Sequence, residues 1–404
     1  MPVARPLSGL ARSLQLTLPQ INASFPYLWL RDACQCPKCV HPSTLQKLHR
    51  LTDIPVDICP ATDGVDLKQD GIHIRWTDGH ESFHSFTFLE RYSSASSLSA
   101  FHRDVPAKSW NASTIIKSPD LFVPYDDLSE PSRLLGAITQ LTRFGLLLVT
   151  GVPTDNTEDA TCETRRLATL FGEIRPTFYG ELWDVKNIAG SRNIAYTNLD
   201  LGLHCDLLYF EHPPRYQMLH CIRNRVMGGT SIFVDGLHVA NTLRRTHPED
   251  FNILSTTRVP FHYINDGHHL HHEHPTIDLE RMPTSSSAER TVKYINYSPP
   301  FQAPLLLSPT LLEFHTALKH FAALLDVPDN HMEYVLREGD AVLFDNRRVL
   351  HARTAFTDTG HSVDGEPNRW LKGCYIESDA LLDHGRVLRA NIEKGKPGLG
   401  SCNM

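Results

Sequence analysis

No stretch of this 404-residue chain holds about 18 consecutive apolar residues, so no segment reads as a membrane span. The first residues lack the apolar core of a secretory signal, which points to an intracellular, cytoplasmic protein. The opening "MPVARPLSGLARSLQ", with Arg5 and Arg12 and no acid, only faintly resembles a mitochondrial transit peptide. There is no block of Lys and Arg, and the net charge is -7, which argues against a nucleic-acid or anionic-membrane surface. Internal repeats are missing, and apolar residues make up 41% of the chain without depletion in either half, so disorder is excluded as the organising theme. A small molecule is the expected partner.

What is present is nine cysteines, more naturally thiols or metal ligands than disulfides in such a chain. Cys34, Cys36 and Cys39 lie in "RDACQCPKC", three thiols on one turn stiffened by Pro37. Zinc wants a fourth ligand, and His80, at the Asp78-Gly79 turn of "IRWTDGHESF", is preferred to His41 and His49. Four protein ligands close the site, making it structural. Cys205, Cys221 and Cys374 sit in apolar runs and read as core.

Residues 1–92 read as a small β-rich zinc-binding domain, 93–114 as a Ser-rich linker and 115–404 as a second domain. In the latter, helical periodicity covers 131–144, 158–171, 237–255 and 308–325, the last opened by Ser308-Pro309. "RYQMLHCI", "TSIFVDG", "TVKYINY" and "DAVLFDN" read as strands. The expected fold is mostly β with flanking helices: a double-stranded β-helix (jelly-roll) core beside the small N-terminal domain. The histidine run "DGHHLHHEHP", 266–275, is expected to be a solvated lid or loop and not a metal site.

"GLHCDLLYF", 202–210, reads as a strand that carries His204 and Asp206 on one face. Alone, H-x-D fits a hydrogen-bonded core pair as well as a metal site. His351, 147 positions after His204 in "FDNRRVLHAR", supplies a third ligand of the right type. Two histidines and one carboxylate on one face, with positions left open, are the pattern of non-haem iron(II) oxygenases.

These segments, with "LRDACQCPKC", "FYGELW", "NIAYT", "HPPRYQMLHC", "GGTSIFVDG" and "NRWLKGCY", resemble the γ-butyrobetaine hydroxylase and trimethyllysine hydroxylase family of iron(II)/2-oxoglutarate-dependent dioxygenases over nearly the whole chain. The resemblance implies iron(II) held by His204, Asp206 and His351 and zinc held by Cys34, Cys36, Cys39 and His80. It also implies 2-oxoglutarate as co-substrate, bound by Arg369, with Arg353 as the rival, and ascorbate as reductant. Tyr179, Trp183, Tyr196 and Tyr375 match positions that cage a trimethylammonium group, while Asn193 and Asn296 could meet a substrate carboxylate. Leu207 stands where animal butyrobetaine hydroxylases have a tyrosine. The implied activity is carnitine-forming hydroxylation of γ-butyrobetaine or a close analogue. Trimethyllysine or another amino acid or betaine is the alternative substrate, and a homodimer is compatible with the reading. A non-catalytic, zinc-organised interaction protein is the alternative of a different class.

Overall fold

The computed structural model describes residues 3–6, 12–186, 197–280, 290–307, 311–358 and 367–395. Contacts divide the chain into two compact units, Met1–Asp104 and Val105–Met404. Among the described residues no helix is long and apolar enough to cross a membrane.

In the first unit β1 (Val3–Pro6), β2 (Ser13–Leu18) and β3 (Ile21–Pro26) form an antiparallel sheet that leads into α1 (Tyr27–Asp32). A second sheet joins β4 (Pro60–Leu67), β5 (Gly71–Trp76) and β6 (Glu81–Ser85), and α2 (Phe86–Arg91) and α3 (Ala95–His102) follow. Alternation sets the core: Leu14 and Leu16 of β2, and Ile72, Ile74 and Trp76 of β5, are buried together. The β5–β6 turn falls at Asp78-Gly79 as expected, with Gly79 at φ 81°, where a side chain would be strained.

The second unit runs α4 (Ala112–Ile115), β7 (Phe122–Pro124), α5 (Pro131–Phe144), β8 (Leu146–Thr150), α6 (Glu163–Phe171), β9 (Trp183–Lys186) and β10 (Leu201–His204). It continues with β11 (Tyr216–Asn224), β12 (Val226–Gly228), β13 (Ser231–Asp235), α7 (Gly236–Thr246), α8 (Pro248–Thr256), β14 (Arg258–Asn265), β15 (His268–Pro275) and β16 (Ile277–Leu279). Last come β17 (Val292–Ile295), α9 (Leu311–Leu325), β18 (Met332–Tyr334), β19 (Ala341–Asp345), β20 (Val349–Arg353), β21 (Phe356–Asp358), β22 (Arg369–Ile376) and α10 (Ser378–Glu393).

Two sheets face each other. One has six strands in the order β7-β8-β19-β11-β22-β9, the other four in the order β10-β20-β13-β18. The continuous apolar runs of β8 and β19 are buried on both sides because each face has a cover. Leu146, Leu148, Val342 and Phe344 meet Phe233 and Val349 of the smaller sheet. Leu147, Val149 and Leu343 pack with Ala137 and Leu141 of α5, Leu167 and Phe171 of α6 and Leu381 of α10. This is the jelly-roll arrangement with helices outside.

Three expectations need correction. The 237–255 stretch is two helices, because Pro248 cannot continue α7 and instead begins α8. The 158–171 stretch becomes helical only at Glu163. The histidine run is no loop: β15 pairs with β14 along its length, turning at Asp266-Gly267, where both residues have positive φ (50° and 77°). Its alternation tucks His274 into the interior, where Nε2 donates to the Phe210 carbonyl at 2.9 Å. Ser308 and Pro309 lie outside the described residues.

Candidate active site

His204 ends β10 and His351 lies on β20, directly opposite it in the register, with the two imidazole centroids 4.2 Å apart. Asp206 is not on the strand. β10 stops at His204, and the chain turns through Leu207 at φ 59°, a conformation that a branched apolar residue adopts at a cost. Strand alternation therefore does not bring His204 and Asp206 together; a sharp turn does.

Asn346, wholly buried beyond β19, fixes that turn. Its Oδ1 accepts from the Asp206 amide at 2.7 Å, and its Nδ2 donates to the carbonyls of Asp206 (3.0 Å) and Pro214 (3.1 Å). Gln217 of β11 donates to Asp206 Oδ2 at 2.9 Å. Each carboxylate oxygen then faces one imidazole: Oδ1 to His204 Nε2 at 3.4 Å and Oδ2 to His351 Nε2 at 3.6 Å.

Two ligand bonds of about 2.1 Å at a right angle put their ends about 3 Å apart, so these separations suit three ligands on one face of an octahedral ion. His204 Nδ1 donates to the Gly202 carbonyl at 2.8 Å, which leaves Nε2 with the lone pair a metal needs. Burial opposes charge on the Asp206 carboxylate, but hydrogen bonding and attraction from His204 and His351 outweigh it and hold the carboxyl well below its usual range. The same pairing raises His204 against burial, whereas burial and the neighbouring His204 lower His351.

The open side of this triad faces a cavity of about 1020 Å³, its mouth included. At one part of the wall stand Arg353 of β20, Arg369 of β22 and Ser231 of β13. Burial and the adjacent Arg353 lower Arg369 to about 10, and its Nε has no hydrogen-bond partner among the described residues. Arg353 donates through Nη2 to the carbonyls of Thr197 and Leu199. A buried guanidinium held beside a second one suits an anionic group with oxygen acceptors.

Aromatic rings line another part of the wall. Trp183 and Tyr375 lie with centroids 4.5 Å apart at 34°, and Tyr179 stands 6.5 Å from Trp183. Trp183 can lie over β22 because its cross-strand partner is Gly373. Leu207 also faces the cavity. Asn296 does not: its Nδ2 donates to the Pro275 carbonyl (2.8 Å) and its Oδ1 accepts from Arg347 (2.9 Å). Asn193 and Tyr196 lie outside the described residues. Sequence reasoning missed Gln217, Asn346, Ser231 and Tyr209; the first two could have been sought as polar residues inside otherwise apolar strand ends.

In the first unit Cys34, Cys36, Cys39 and His80 converge. His80 Nε2 lies 3.3, 3.7 and 3.5 Å from the three sulfurs in that order. Bonds of about 2.3 Å to sulfur and about 2.05 Å to nitrogen at a tetrahedral angle predict about 3.6 Å, so the donor set fits zinc. Arg31 holds the hairpin in place: its Nε meets Asp78 Oδ2 at 2.9 Å, and Asp78 Oδ1 accepts from the His80 amide at 2.9 Å. A third cluster, His247, Asp250 and His320, keeps a 2.6 Å hydrogen bond between His320 and Asp250, shorter than two ligands on one ion keep, and ties α9 to α8.

Residues 115–375 match the family described as taurine catabolism dioxygenase TauD, TfdA, and residues 11–90 match gamma-butyrobetaine hydroxylase-like, N-terminal. The chain is 55% identical to Dioxygenase str8 of Strobilurus tenacellus over 91% of this chain and 86% of that one. It is 32% identical to gamma-butyrobetaine dioxygenase of Pseudomonas sp. (strain AK-1), over 90% of each. With gamma-butyrobetaine dioxygenase of Pongo abelii it shares 28% identity over 97% of this chain and 98% of the other.

Proposed function

The chain belongs to the TauD, TfdA dioxygenase family, and from that premise we propose that it is an iron(II)- and 2-oxoglutarate-dependent hydroxylase of a small quaternary-ammonium compound, with γ-butyrobetaine as the first candidate. The observation that carries the reading is the convergence of His204, Asp206 and His351 at the wall of an aromatic-lined cavity.

His204, Asp206 and His351 would hold the iron, with Asn346 and Gln217 fixing the carboxylate between the two imidazoles. Three protein ligands leave room for the co-substrate and for dioxygen. When bound, iron(II) would activate dioxygen, the oxidant, with 2-oxoglutarate as the reductant: one oxygen atom would go into succinate as carbon dioxide is lost, and the other into the new hydroxyl of the substrate. Arg369 would pair with the far carboxylate of 2-oxoglutarate, and Ser231 lines the same cavity. Arg353 suits that role less, since its guanidinium already serves the 197–199 backbone.

Tyr179, Trp183 and Tyr375 support the choice of substrate class. A trimethylammonium carries charge but no hydrogen to donate, so aromatic faces hold it, at about 0.5 to 2 kcal/mol per contact. Zinc at Cys34, Cys36, Cys39 and His80 would brace the N-terminal unit. One observation favours a second reading, a betaine or amino-acid analogue whose far end differs from that of γ-butyrobetaine: Leu207 is apolar and Asn296 is turned to other partners.

The test is succinate formation across a panel that includes γ-butyrobetaine, trimethyllysine, other betaines and uncharged amino acids. Stimulation by a quaternary-ammonium member, and its loss in His204→Ala, Asp206→Ala and His351→Ala with the fold retained, is the expected result. Full iron-dependent turnover in any one of the three variants would refute the triad, and stimulation by uncharged substrates alone would refute the substrate class.

A further inference from the structure

Arg353 and Arg369 pose a physical problem that the rest of the cavity wall does not solve. Both are buried, at 6% and 5% exposure, and they carry like charges beside each other. Taking a cation out of water is expensive unless something is drawn to it, and a second cation nearby adds to the cost. Arg353 has the carbonyls of Thr197 and Leu199. Arg369 has no such acceptor at Nε among the described residues.

What the two arginines share is one aromatic ring. The guanidinium carbon of Arg353 lies 5.0 Å from the centroid of Phe356 and that of Arg369 lies 5.3 Å from it, inside the distance of about 6 Å at which a cation is attracted to a ring face. Phe356 is itself buried and does not line the cavity, so it can act on a bound molecule only through the arginines.

The ring is held from more than one side. Phe356 pairs with Gly228 across β12 and β21, and its amide donates to the Asn198 carbonyl at 3.1 Å, within the same 197–199 stretch that Arg353 grips. Gly228, at φ 89°, lets the strands meet: a Cβ there would lie 2.6 Å from the Ala355 carbonyl oxygen. A carboxylate in place of the ring would also steady Arg369, but it would occupy the N–H groups and neutralise the charge that an incoming anion needs. A ring face attracts the cation and leaves those donors free.

We propose that Phe356 is a positioning residue for the co-substrate: its ring face holds Arg369 at the cavity wall beside Arg353, and so sets the preference for a 2-oxo acid with a second carboxylate. This rests on the reading of Arg369 as the partner of the far carboxylate of 2-oxoglutarate.

The test uses the full chain loaded with iron(II) under nitrogen and measures binding of two 2-oxo acids by calorimetry. 2-Oxoglutarate has the far carboxylate, whereas 5-methyl-2-oxohexanoate carries an isopropyl group of similar shape in its place. Wild-type protein is expected to bind 2-oxoglutarate at least about tenfold more tightly. Phe356→Leu should weaken 2-oxoglutarate by about three- to tenfold, the cost of ordering one long side chain on binding, and leave the isopropyl acid within about twofold of its wild-type affinity. Replacing Phe356 with 3,4,5-trifluorophenylalanine keeps the shape of the ring and withdraws electron density from its face. That protein should fall between wild type and Phe356→Leu.

Unchanged 2-oxoglutarate affinity in Phe356→Leu, or equal weakening of both acids, overturns the assignment, because the ring would then only fill space. Wild-type behaviour of the trifluoro protein overturns it too, and should Phe356→Leu not fold, that protein decides by itself. Wild-type protein that binds 2-oxoglutarate no better than the isopropyl acid sinks the reading of Arg369, and Phe356 with it. Binding of neither acid by wild-type protein rejects both.

Discussion

Asn346 is completely buried, and its amide joins three backbone groups that would otherwise be unpaired: the Asp206 amide and the carbonyls of Asp206 and Pro214. Asn346→Ala should therefore cost roughly 2 to 4 kcal/mol of stability and weaken iron binding by roughly 10- to 100-fold, read by denaturant unfolding and by metal titration. Unchanged iron affinity would show that Asp206 keeps its place without the clamp. The convergence of His204, Asp206 and His351 was legible because ligand chemistry restricts residue type. Asn346 was not, since an asparagine after a strand is most often a turn residue, and its partner lies 140 residues away. Tyr209 was hidden for a different reason: in "DLLYF" it reads as one more apolar strand residue, and only the turn at Leu207 sets it apart.

Strands and helices were legible where the pattern was plain, as in the buried run of β19 and the amphipathic α5 that ends at Gly145 (φ 74°). The histidine run misled because composition outweighed pattern: His272 and His274 share an inward face while His269 and His271 face out, an alternation that only pairing with β14 reveals. Close approach between strands is equally invisible in sequence. A Cβ on Gly373 of β22 would lie 2.7 Å from the Trp183 indole, so Gly373→Ala should push that ring out of position. The expected result is a stability loss of about 1 to 3 kcal/mol, with weakened substrate binding and unchanged 2-oxoglutarate affinity. Calorimetry with each ligand separately would check it, and equal loss for both would show that the sheet, not the indole, had moved.

At the scale of the whole molecule, each unit carries its own cluster of side chains suited to a metal ion. Cys36→Ser should bring zinc in the purified protein well below one equivalent and lower the melting temperature of the first unit; full zinc occupancy in that variant would mean the metal sits elsewhere. Acid acts through buried imidazoles. His220 hydrogen-bonds Thr164 Oγ1 at 2.9 Å, and burial lowers it from 6.5 to about 4. The unfolded chain then takes up the proton first, so stability falls as pH drops from about 6.5 towards about 4 and is unaffected above that window. His220→Gln should make the loss of stability between pH 7 and pH 5 smaller by up to about 2 kcal/mol, measured by urea unfolding of metal-free protein. An identical loss in the variant would show that His220 takes up its proton alike in both states. The pairing of His204 on β10 with His351 on β20 has a bearing on biosynthesis as well. A chain made from its N-terminus exposes the first imidazole and the carboxylate long before the second imidazole leaves the ribosome, and loop closure over that span comes late. Nascent or prematurely ended chains that stop before His351 thus hold at most two of the three proposed ligands, so that the proposed oxygen-activating centre cannot form on an unfinished polypeptide.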